Sequence, residues 1–422
     1  MDTKSHPITP RIIIHGGAGN ITRSTITPSQ YAAYHSSLLR ILSSANALLS
    51  KPGATALDVA THAVSLLEDD PLYNSGKGAV FTRAGTNELE CSIMVSNGYR
   101  KRGVGCMMLS HVKNPIKLAR EVLVRGEEAD GGGAKDHCQY AGEFIERRAR
   151  EWGLEMVDPA YYFTQKKWDE HKRGLEEEEK KTSKSKTMEV DELSDWERQN
   201  YIPLGTCGAV VLDSFGTVCT ATSTGGLTNK VPGRIGDTPT LGAGYWAEEW
   251  YEDAASSAHK MLYQQPSTTS PLDNLSRGNI TTLLADCLPI TTSSPSHPHP
   301  IPQKAHPVRH ALALSSSGNG DTFLRLSSSR TVAAKSRFAS LPLSTTLPWM
   351  AGPNGELQRS AGDRWGKVHE GVGGMIGIEI VGSRGEVVCD YNCGGMFRAW
   401  TDEEGGERCL IFREDGWGSG PE

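Results

Sequence analysis

The clearest structural pattern of the chain lies in the segment Gly205–Glu248, which reads GTCGAVVLDSFGTVCTATSTGGLTNKVPGRIGDTPTLGAGYWAE. It begins with the apolar run Cys207–Leu212, which is typical of a buried strand. Asp213–Gly216 supplies turn residues, and Thr217–Thr222 is a second β-like run. The segment therefore predicts a β-hairpin that starts directly after Gly205.

Five glycine-rich polar turns stand out along the chain. In chain order they are His15–Gly19, Gly205–Gly208, Thr222–Gly226, Gly233–Asp237 and Ser315–Asp321. Glycine lets the backbone come close to a ligand and leaves N–H groups free to point at it. One such turn is usually only a turn, but the order and spacing of all five together favour a shared binding site.

The rest of the chain alternates between apolar helices and short strands. The pattern predicts the following elements: a strand Arg11–His15, helices Tyr31–Leu49 and Ala56–Glu68 (the second capped by Thr55), strand-like runs on both sides of Gly85, a helix Ala247–Leu262, strands Ala311–Leu314 and Thr322–Leu326, and a hairpin Gly374–Val381 with Gly385–Tyr391. Strands grouped around helices predict layered α/β packing.

Two polar segments interrupt this pattern. Lys, Glu and Ser dominate residues 162–204, which we interpret as a solvated or disordered linker with one frayed helix at most. Ser, Thr, Pro and His dominate 264–310, which we interpret as a surface insertion. We expect one domain, 1–422, that carries both segments.

Composition excludes several classes of protein. The 422 residues carry a formal charge of -6, which argues against a general nucleic-acid binder. The nine cysteines are scattered without a CxxC pair, so reduced thiols are expected instead of a disulfide scaffold. The polar N-terminus is unlike a signal peptide, and no apolar run could span a membrane. A cytoplasmic protein without a membrane or nucleic-acid partner is the resulting expectation.

The same motifs resemble a known family. Gly205–Glu248 is similar to the start of the β-subunit of plant-type L-asparaginases and isoaspartyl peptidases, which are threonine N-terminal-nucleophile (Ntn) hydrolases. Upstream, IIIHGGAGNI, LEDDPLYNSGKGAVFTRAGTNELECSIM and NPIKLAR resemble the α-subunit; downstream, SSSGNGD and GGMIGIEIVGSRGEVVCDYNCGGMFRAW resemble later motifs. The linker and the segments 264–310 and 327–370 lie outside the resemblance.

The resemblance implies a fold and a mode of activation. The fold is of the α/β (α+β) class: a four-layer αββα sandwich with two central, mainly antiparallel sheets. Self-cleavage between Gly205 and Thr206 would give an α-subunit, 1–205, and a β-subunit, 206–422. By analogy, two cleaved αβ units would form a homodimer.

Elementary chemistry explains why cleavage would activate Thr206. A threonine hydroxyl is a weak nucleophile that needs an adjacent base, and an amide nitrogen is not one. Once freed, the α-amine has a pKa of about 7.7–8.0 and is partly neutral near pH 7. A single residue would then supply both the nucleophile and the general base.

The resemblance also implies roles for residues around the nucleophile. Thr224 would orient the hydroxyl or the amine of Thr206, and Asn74 would either assist cleavage or form a structural turn. Arg234 would bind the α-carboxylate of an aspartyl group and Asp237 its α-ammonium.

Two further sets of residues follow from the resemblance. Ser317 and Gly318 match the oxyanion-hole turn, where donors face the charge that develops on the attacked carbonyl, and Gly320 would also bind substrate. Backbone carbonyls of one loop would hold a structural sodium ion: those of Leu67, Glu68, Asp70, Tyr73, Ser75 and Lys77. No organic cofactor is implied.

The predicted function is an amidohydrolase that cleaves L-asparagine, β-aspartyl dipeptides, or both, and releases L-aspartate through an acyl-enzyme on Thr206. Glu90-Cys91 stands where the family usually has Asp-Ala, Ser317 replaces a common threonine, and Val95–Gly98 replaces a shorter turn. These departures bear on specificity. Two alternatives remain: a taspase-like endopeptidase, against which Asp237 argues, and a non-catalytic binding protein.

Overall fold

The computed structural model describes residues 7–184, 205–252 and 307–413. Contacts divide the chain into a main unit, Met1–Glu249 with Ala311–Glu422, and a second unit, Trp250–His310. Most of the predicted insertion 264–310 lies outside the described residues. The account that follows concerns the main unit.

Twelve strands occur among the described residues. In chain order they are β1 Arg11–Gly19, β2 Leu89–Val95, β3 Gly103–Leu109, β4 Gln139–Ala141, β5 Cys207–Leu212, β6 Val218–Thr224, β7 Tyr245–Glu252, β8 Val308–Gly318, β9 Gly373–Val381, β10 Arg384–Tyr391, β11 Gly395–Thr401 and β12 Glu407–Leu410. They form an eight-stranded sheet, ordered β12-β11-β1-β5-β6-β2-β3-β4, and a four-stranded sheet, ordered β10-β9-β8-β7. In the larger sheet every neighbouring pair is antiparallel except β3 with β4.

Nine α-helices occur in the same described ranges. They are α1 Pro28–Leu49, α2 Ala56–Asp69, α3 Pro115–Arg125, α4 Glu143–Glu151, α5 Gln165–Lys184, α6 Gly320–Leu326, α7 Ser328–Ala339, α8 Leu343–Ala351 and α9 Glu356–Ser360. None of these helices combines the length and the apolar composition needed to cross a membrane.

Strand β1 shows why the sheets stack in the middle of the molecule. Ile12 and Ile14 belong to the core beneath α1, α2 and α3, whereas Ile13 belongs to the core between the two sheets. Successive side chains of a strand point to opposite faces, so a strand that is buried on both faces is apolar throughout. On the far side, Leu343 of α8 packs near Gly377 of β9. The layers are helix, sheet, sheet, helix, and this confirms the predicted sandwich.

Most of the predicted elements are confirmed, with bounds that differ by a few residues. Thr55 caps α2 as expected, because its hydroxyl accepts a hydrogen bond from Asp58 N at 3.2 Å. The strand at Arg11, the helix ending at Leu49 and both predicted hairpins are present. Of the two runs around Gly85, only the later one forms a strand.

Two predicted elements are of the wrong type. The helix Ala247–Leu262 is wrong where the structure describes it, since Tyr245–Glu252 is strand β7 and aromatic residues favour strands. The strand Thr322–Leu326 is helix α6, because Asn319 caps its N-terminus by accepting from Thr322 N at 3.1 Å. This Asn-Gly-Asp start is a helix signal that the sequence reading missed.

The predicted disordered linker 162–204 differs from the structure in its first half. Gln165–Lys184 forms α5, and 185–204 lie outside the described residues. Lys167 and His171 are buried despite their polarity, and Trp168 stacks edge-on against Phe81 with ring centroids 5.1 Å apart. Charged composition suggested disorder, but residues three and four apart form a packed stripe.

Candidate active site

A cavity of about 240 Å³ collects most of the predicted catalytic and substrate-binding residues. Seven of them line it: Gly205, Thr206, Thr224, Arg234, Asp237, Gly318 and Gly320. They come from the turn before β5, the end of β6, the loop that follows β6, and the junction of β8 with α6. Ser317 and Asn74 do not line the cavity, and neither does the predicted sodium loop.

Gly205 lies between the end of β1 and the end of β8. A β-carbon at this position would clash with Ser317 Oγ and would lie 3.2 Å from Ala18 O. Ser317 Oγ is fixed there because it accepts a hydrogen bond from Ala18 N at 2.9 Å. On the other side, a β-carbon at Gly17, whose φ is +118°, would lie 2.9 Å from Gly205 N. Only glycine therefore fits before Thr206.

The hydroxyl of Thr206 is held by Thr238, which was not among the residues predicted from the sequence. Thr206 Oγ1 lies 2.8 Å from Thr238 Oγ1, and both residues are buried. Thr224 lines the same cavity, but its Oγ1 accepts a hydrogen bond from Gly226 N at 3.0 Å and so stabilises its own turn. Thr238 carries no signal beyond its place directly after Asp237.

Behind the cavity, His15 and Ser315 form a second buried polar pair. His15 Nε2 lies 2.7 Å from Ser315 Oγ, and burial lowers the pKa of His15 to about 3, so the imidazole is neutral near pH 7. Gly208 leaves room for both side chains. Neither residue lines the cavity, and both pack directly against Gly208 of β5.

Arg234 and Asp237 meet at the start of α6. A β-carbon at Gly320 would lie 2.6 Å from Asp237 Oδ1 and 2.9 Å from Arg234 Nη2. Arg234 Nη2 also pairs with Asp321 Oδ2 at 3.2 Å. The guanidinium and the carboxylate are therefore side by side and converge on an open glycine backbone, an arrangement that suits an amino-acid head group.

The burial of the Asp237 carboxylate lowers the stability of the fold. Its side chain is only 5% exposed, and Oδ2 has no hydrogen-bond partner among the described residues. Burial raises the pKa of Asp237 to about 7, although the charge of Arg234 opposes the shift. A buried polar atom without a partner is expected where a ligand supplies the missing group.

Glu90, which departs from the family pattern, fastens this part of the site. Both of its carboxylate oxygens accept from Gly236 N, at 3.1 and 3.2 Å, and Lys230 Nζ lies 3.5 Å from Oε1. Lys230 also donates to Glu88 O at 2.8 Å, and burial lowers its pKa. The pair holds the turn between Arg234 and Asp237.

The structure places Asn74 at the turn after Thr224, outside the cavity. Its Nδ2 donates to Gly226 O at 2.8 Å, and its Oδ1 accepts from Val80 N at 3.1 Å. These bonds support the structural alternative for Asn74, in which it braces the turn that carries Thr224.

The predicted sodium loop runs from the last turn of α2 into the segment that follows this helix. Glu68 O accepts from Lys77 N at 2.8 Å and crowds Gly76, while Tyr73 O crowds Gly78. Burial raises the pKa of the Glu68 carboxyl to about 8. Carbonyl oxygens are the ligand type that a hard cation takes, and the sodium ion stays a prediction. The described residues contain no cluster of His, Cys, Asp and Glu side chains suited to a metal ion.

The stacked sheets, with a threonine at the mouth of β5, define an Ntn-hydrolase sandwich. The family model described as Asparaginase matches residues 8–258. A Dictyostelium discoideum protein, provisionally named an isoaspartyl peptidase/L-asparaginase, is 39% identical over 256 residues, or 56% of this chain and 70% of its own. Isoaspartyl peptidases of Salmonella typhimurium and Escherichia coli are each 38% identical over 236 residues, or 56% of this chain and 69% and 67% of theirs. The chain belongs to the asparaginase family and is a hydrolase.

The raised pKa of Asp237 predicts a gain in stability when its charge is removed. Between the ordinary pKa of 3.8 and the folded value of about 7, the unfolded state has lost its proton and the folded state has kept it. The free energy of unfolding therefore falls as pH rises through this window. Asp237→Asn should raise Tm at pH 8, and by less at pH 5, as measured by thermal melts.

The matched control is Asp321→Asn, which alters the other carboxylate beside Arg234. Asp321 is 53% exposed, so its replacement should change Tm little at either pH. An Asp237→Asn variant that is equally or less stable than the parent at pH 8 would contradict the assigned cost of burial.

Proposed function

We propose that the chain cleaves itself between Gly205 and Thr206 and then hydrolyses the side-chain amide of L-asparagine or of β-aspartyl dipeptides, releasing L-aspartate. The observation that carries this proposal is the meeting of Thr206, Arg234 and Asp237 in one cavity. The names of the relatives, isoaspartyl peptidase and L-asparaginase, support the same substrate class.

In the first step, Thr206 Oγ1 attacks the carbonyl carbon of Gly205. The C–N bond breaks, the nitrogen of Thr206 takes up the hydroxyl proton, and Gly205 becomes an ester on the threonine oxygen. Water then hydrolyses the ester to a Gly205 carboxylate and a free hydroxyl. Thr238 holds Oγ1 in place, and the packing of Ala18 and Ser317 around Gly205 restrains the carbonyl group that must be attacked.

The new α-amine of Thr206 then serves as the base for substrate. Neutral amine takes the hydroxyl proton as Oγ1 attacks the β-carbonyl, and the protonated amine returns it to the leaving nitrogen. The aspartyl group remains as an ester on Thr206 until water releases it. The turn at Ser317 and Gly318 is the candidate for stabilising the developing oxyanion.

Recognition of the free aspartyl head separates this function from endopeptidase activity. Arg234 would pair with the α-carboxylate and Asp237 with the α-ammonium, which would give Asp237 Oδ2 the partner it lacks. A residue within a protein chain has neither charged group. The homodimer of cleaved αβ units, the structural sodium ion and the cytoplasmic location remain predictions.

Self-cleavage predicts a second chain terminus. Incubated wild-type protein should yield the N-terminal sequence Thr-Cys-Gly-Ala, whereas Thr206→Ala should remain one chain because it lacks the attacking hydroxyl. Mass spectrometry combined with N-terminal sequencing measures both. Thr22 is half-buried and does not line the cavity, so Thr22→Ala should be cleaved normally and offers a control. Cleavage of Thr206→Ala at the same rate would contradict the step.

Thr238 is expected to act as a positioning residue. Thr238→Val keeps the volume but removes the hydrogen bond, worth about 1–2 kcal/mol, so self-cleavage and kcat should each fall roughly tenfold or more. KM should change little, because Thr238 contacts the nucleophile, whereas Arg234 and Asp237 bind the substrate. Thr238→Ser should restore both rates, and a Thr238→Val protein with normal rates would disprove the role.

Arg234→Ala should separate binding from cleavage. Removal of the carboxylate-binding guanidinium should lower kcat/KM for L-asparagine by about tenfold or more, mainly through KM, while the chain still cuts at Gly205. Steady-state kinetics on the cleaved protein measure this. Arg325→Ala, which alters an exposed arginine of α6 paired with Glu370, is the control. Unchanged turnover in Arg234→Ala would reject the assigned role.

A further inference from the structure

Helix α5 forms part of the cavity wall. It is anchored to the loop after β6, where His171 Nδ1 lies 2.5 Å from Asn229 Oδ1 and Asn229 Nδ2 donates to His171 O at 3.1 Å. Trp168 and His171 also pack against the ring of Phe81. These contacts hold the helix in a fixed position beside the turn that follows Thr224.

Gly174 allows the close approach of α5 to this loop. A β-carbon at Gly174 would lie 2.5 Å from Asn229 Nδ2, so the helix backbone rests directly on Asn229. Both Gly174 and Asn229 line the cavity. The side chains of α5 on the same helix face as Gly174 therefore border the part of the cavity beside Thr206.

Three of these side chains are carboxylates. Glu170, Glu177 and Glu178 line the cavity, and their spacing of seven and eight residues places them on one helix face. Each has a cationic neighbour, respectively Lys167, Lys180 and Arg83, but none of those three cations is among the residues that line the cavity. In the described lining, Arg234 is the sole lysine or arginine.

The two ends of the cavity have different tasks. Arg234 and Asp237 both lie beside Gly320 and would hold the aspartyl head. The buried Oδ2 of Asp237, which has no partner within 7–184, 205–252 and 307–413, already indicates a cationic group of a ligand at that end. Whatever is attached to the amide nitrogen must then occupy the remaining space, which α5 walls with carboxylates.

We propose that α5 forms the subsite for the leaving group. Its carboxylates, those of Glu170, Glu177 and Glu178, select β-aspartyl dipeptides in which the leaving amino acid has a positively charged side chain. This inference rests on the proposed function. A β-aspartyl-lysine dipeptide brings an ammonium to these carboxylates, whereas β-aspartyl-glutamate adds a second negative charge to its free α-carboxylate. Ammonia, the product that asparagine releases, is too small to reach the wall.

Substrate comparison tests the subsite in the wild-type, self-cleaved protein. The kcat/KM values should fall in the order β-aspartyl-lysine, β-aspartyl-leucine, β-aspartyl-glutamate. The first and last should differ by about tenfold or more, because an attraction to the carboxylates is replaced by a repulsion and solvent screens both. Added salt should reduce this ratio, and should affect asparagine turnover less.

Variants of α5 assign the preference to its charge. Glu177→Lys should reduce the ratio of lysine to glutamate substrate about tenfold, and Glu177→Gln by a smaller factor. Self-cleavage should yield the Thr206 terminus in both variants as in the wild type, which reports that the protein is folded. Glu179→Lys is the matched control, because Glu179 lies on the same helix, is exposed and does not line the cavity.

The results of these experiments distinguish failure of the subsite from failure of the proposed function. Equal kcat/KM for the three dipeptides, or an equal effect of Glu177→Lys and Glu179→Lys, overturns the subsite while the proposed function stands. A self-cleaved protein that hydrolyses neither asparagine nor any of the dipeptides overturns the proposed function and the subsite together.

Discussion

The position of the Gly205–Thr206 peptide bond depends on the close packing of Gly205 against the ends of β1 and β8. Ser317 Oγ, fixed by Ala18 N, leaves no room for a side chain at Gly205. The two sheets reach this point from either side, so their stacking determines where the Gly205–Thr206 peptide bond lies. Ile12 and Ile14 pack into one core and Ile13 into the other, so β1 holds the two layers together. This stacking in turn determines the position of Thr206.

The buried charges at the site lower the stability of the fold. Glu90 and Lys230 are almost fully buried, and such a pair is a weak source of stability because both ions lose their hydration. Its value lies in position: it fixes Gly236, between the arginine and the aspartate that face the cavity. Asp237 is also buried, and its Oδ2 has no hydrogen-bond partner in the part of the chain that the structure describes. Stability is lower here than an apolar site would allow, and the fold retains an open place for an ammonium group.

Local sequence signals predicted the elements that depend on neighbours in the chain. The hairpin β5–β6 follows from its alternation and turn residues, and the start of α2 follows from the Thr55 cap. The resemblance indicated which residues share the cavity, and seven of them do. Thr238 could not be found in this way, because its contact with Thr206 joins two loops through side-chain conformation alone.

Contacts between distant parts of the chain also explain what local patterns left open or missed. Asn74 had two possible roles, and its bond to the Gly225–Gly226 turn spans a separation of 152 residues, which no local pattern reports. The charges of α5 concealed a packed stripe, since Trp168 and His171 gain their burial from Phe81 and Asn229. A composition rule measures average polarity, whereas a helix needs only one face to be satisfied.

Cleavage after Gly205 would cut a chain whose two parts are already interleaved. In the larger sheet β1 pairs with β5 on one side and with β11 on the other, and β2 pairs with β6, so both prospective subunits contribute central strands. The cavity is equally shared, with α5 and Gly205 on one side of the bond and Thr206, Arg234 and Asp237 on the other. Hydrogen-bonded ladders and a common core hold these parts together without the peptide bond. A cut at this point can therefore free an amine without separating the groups that the amine must serve.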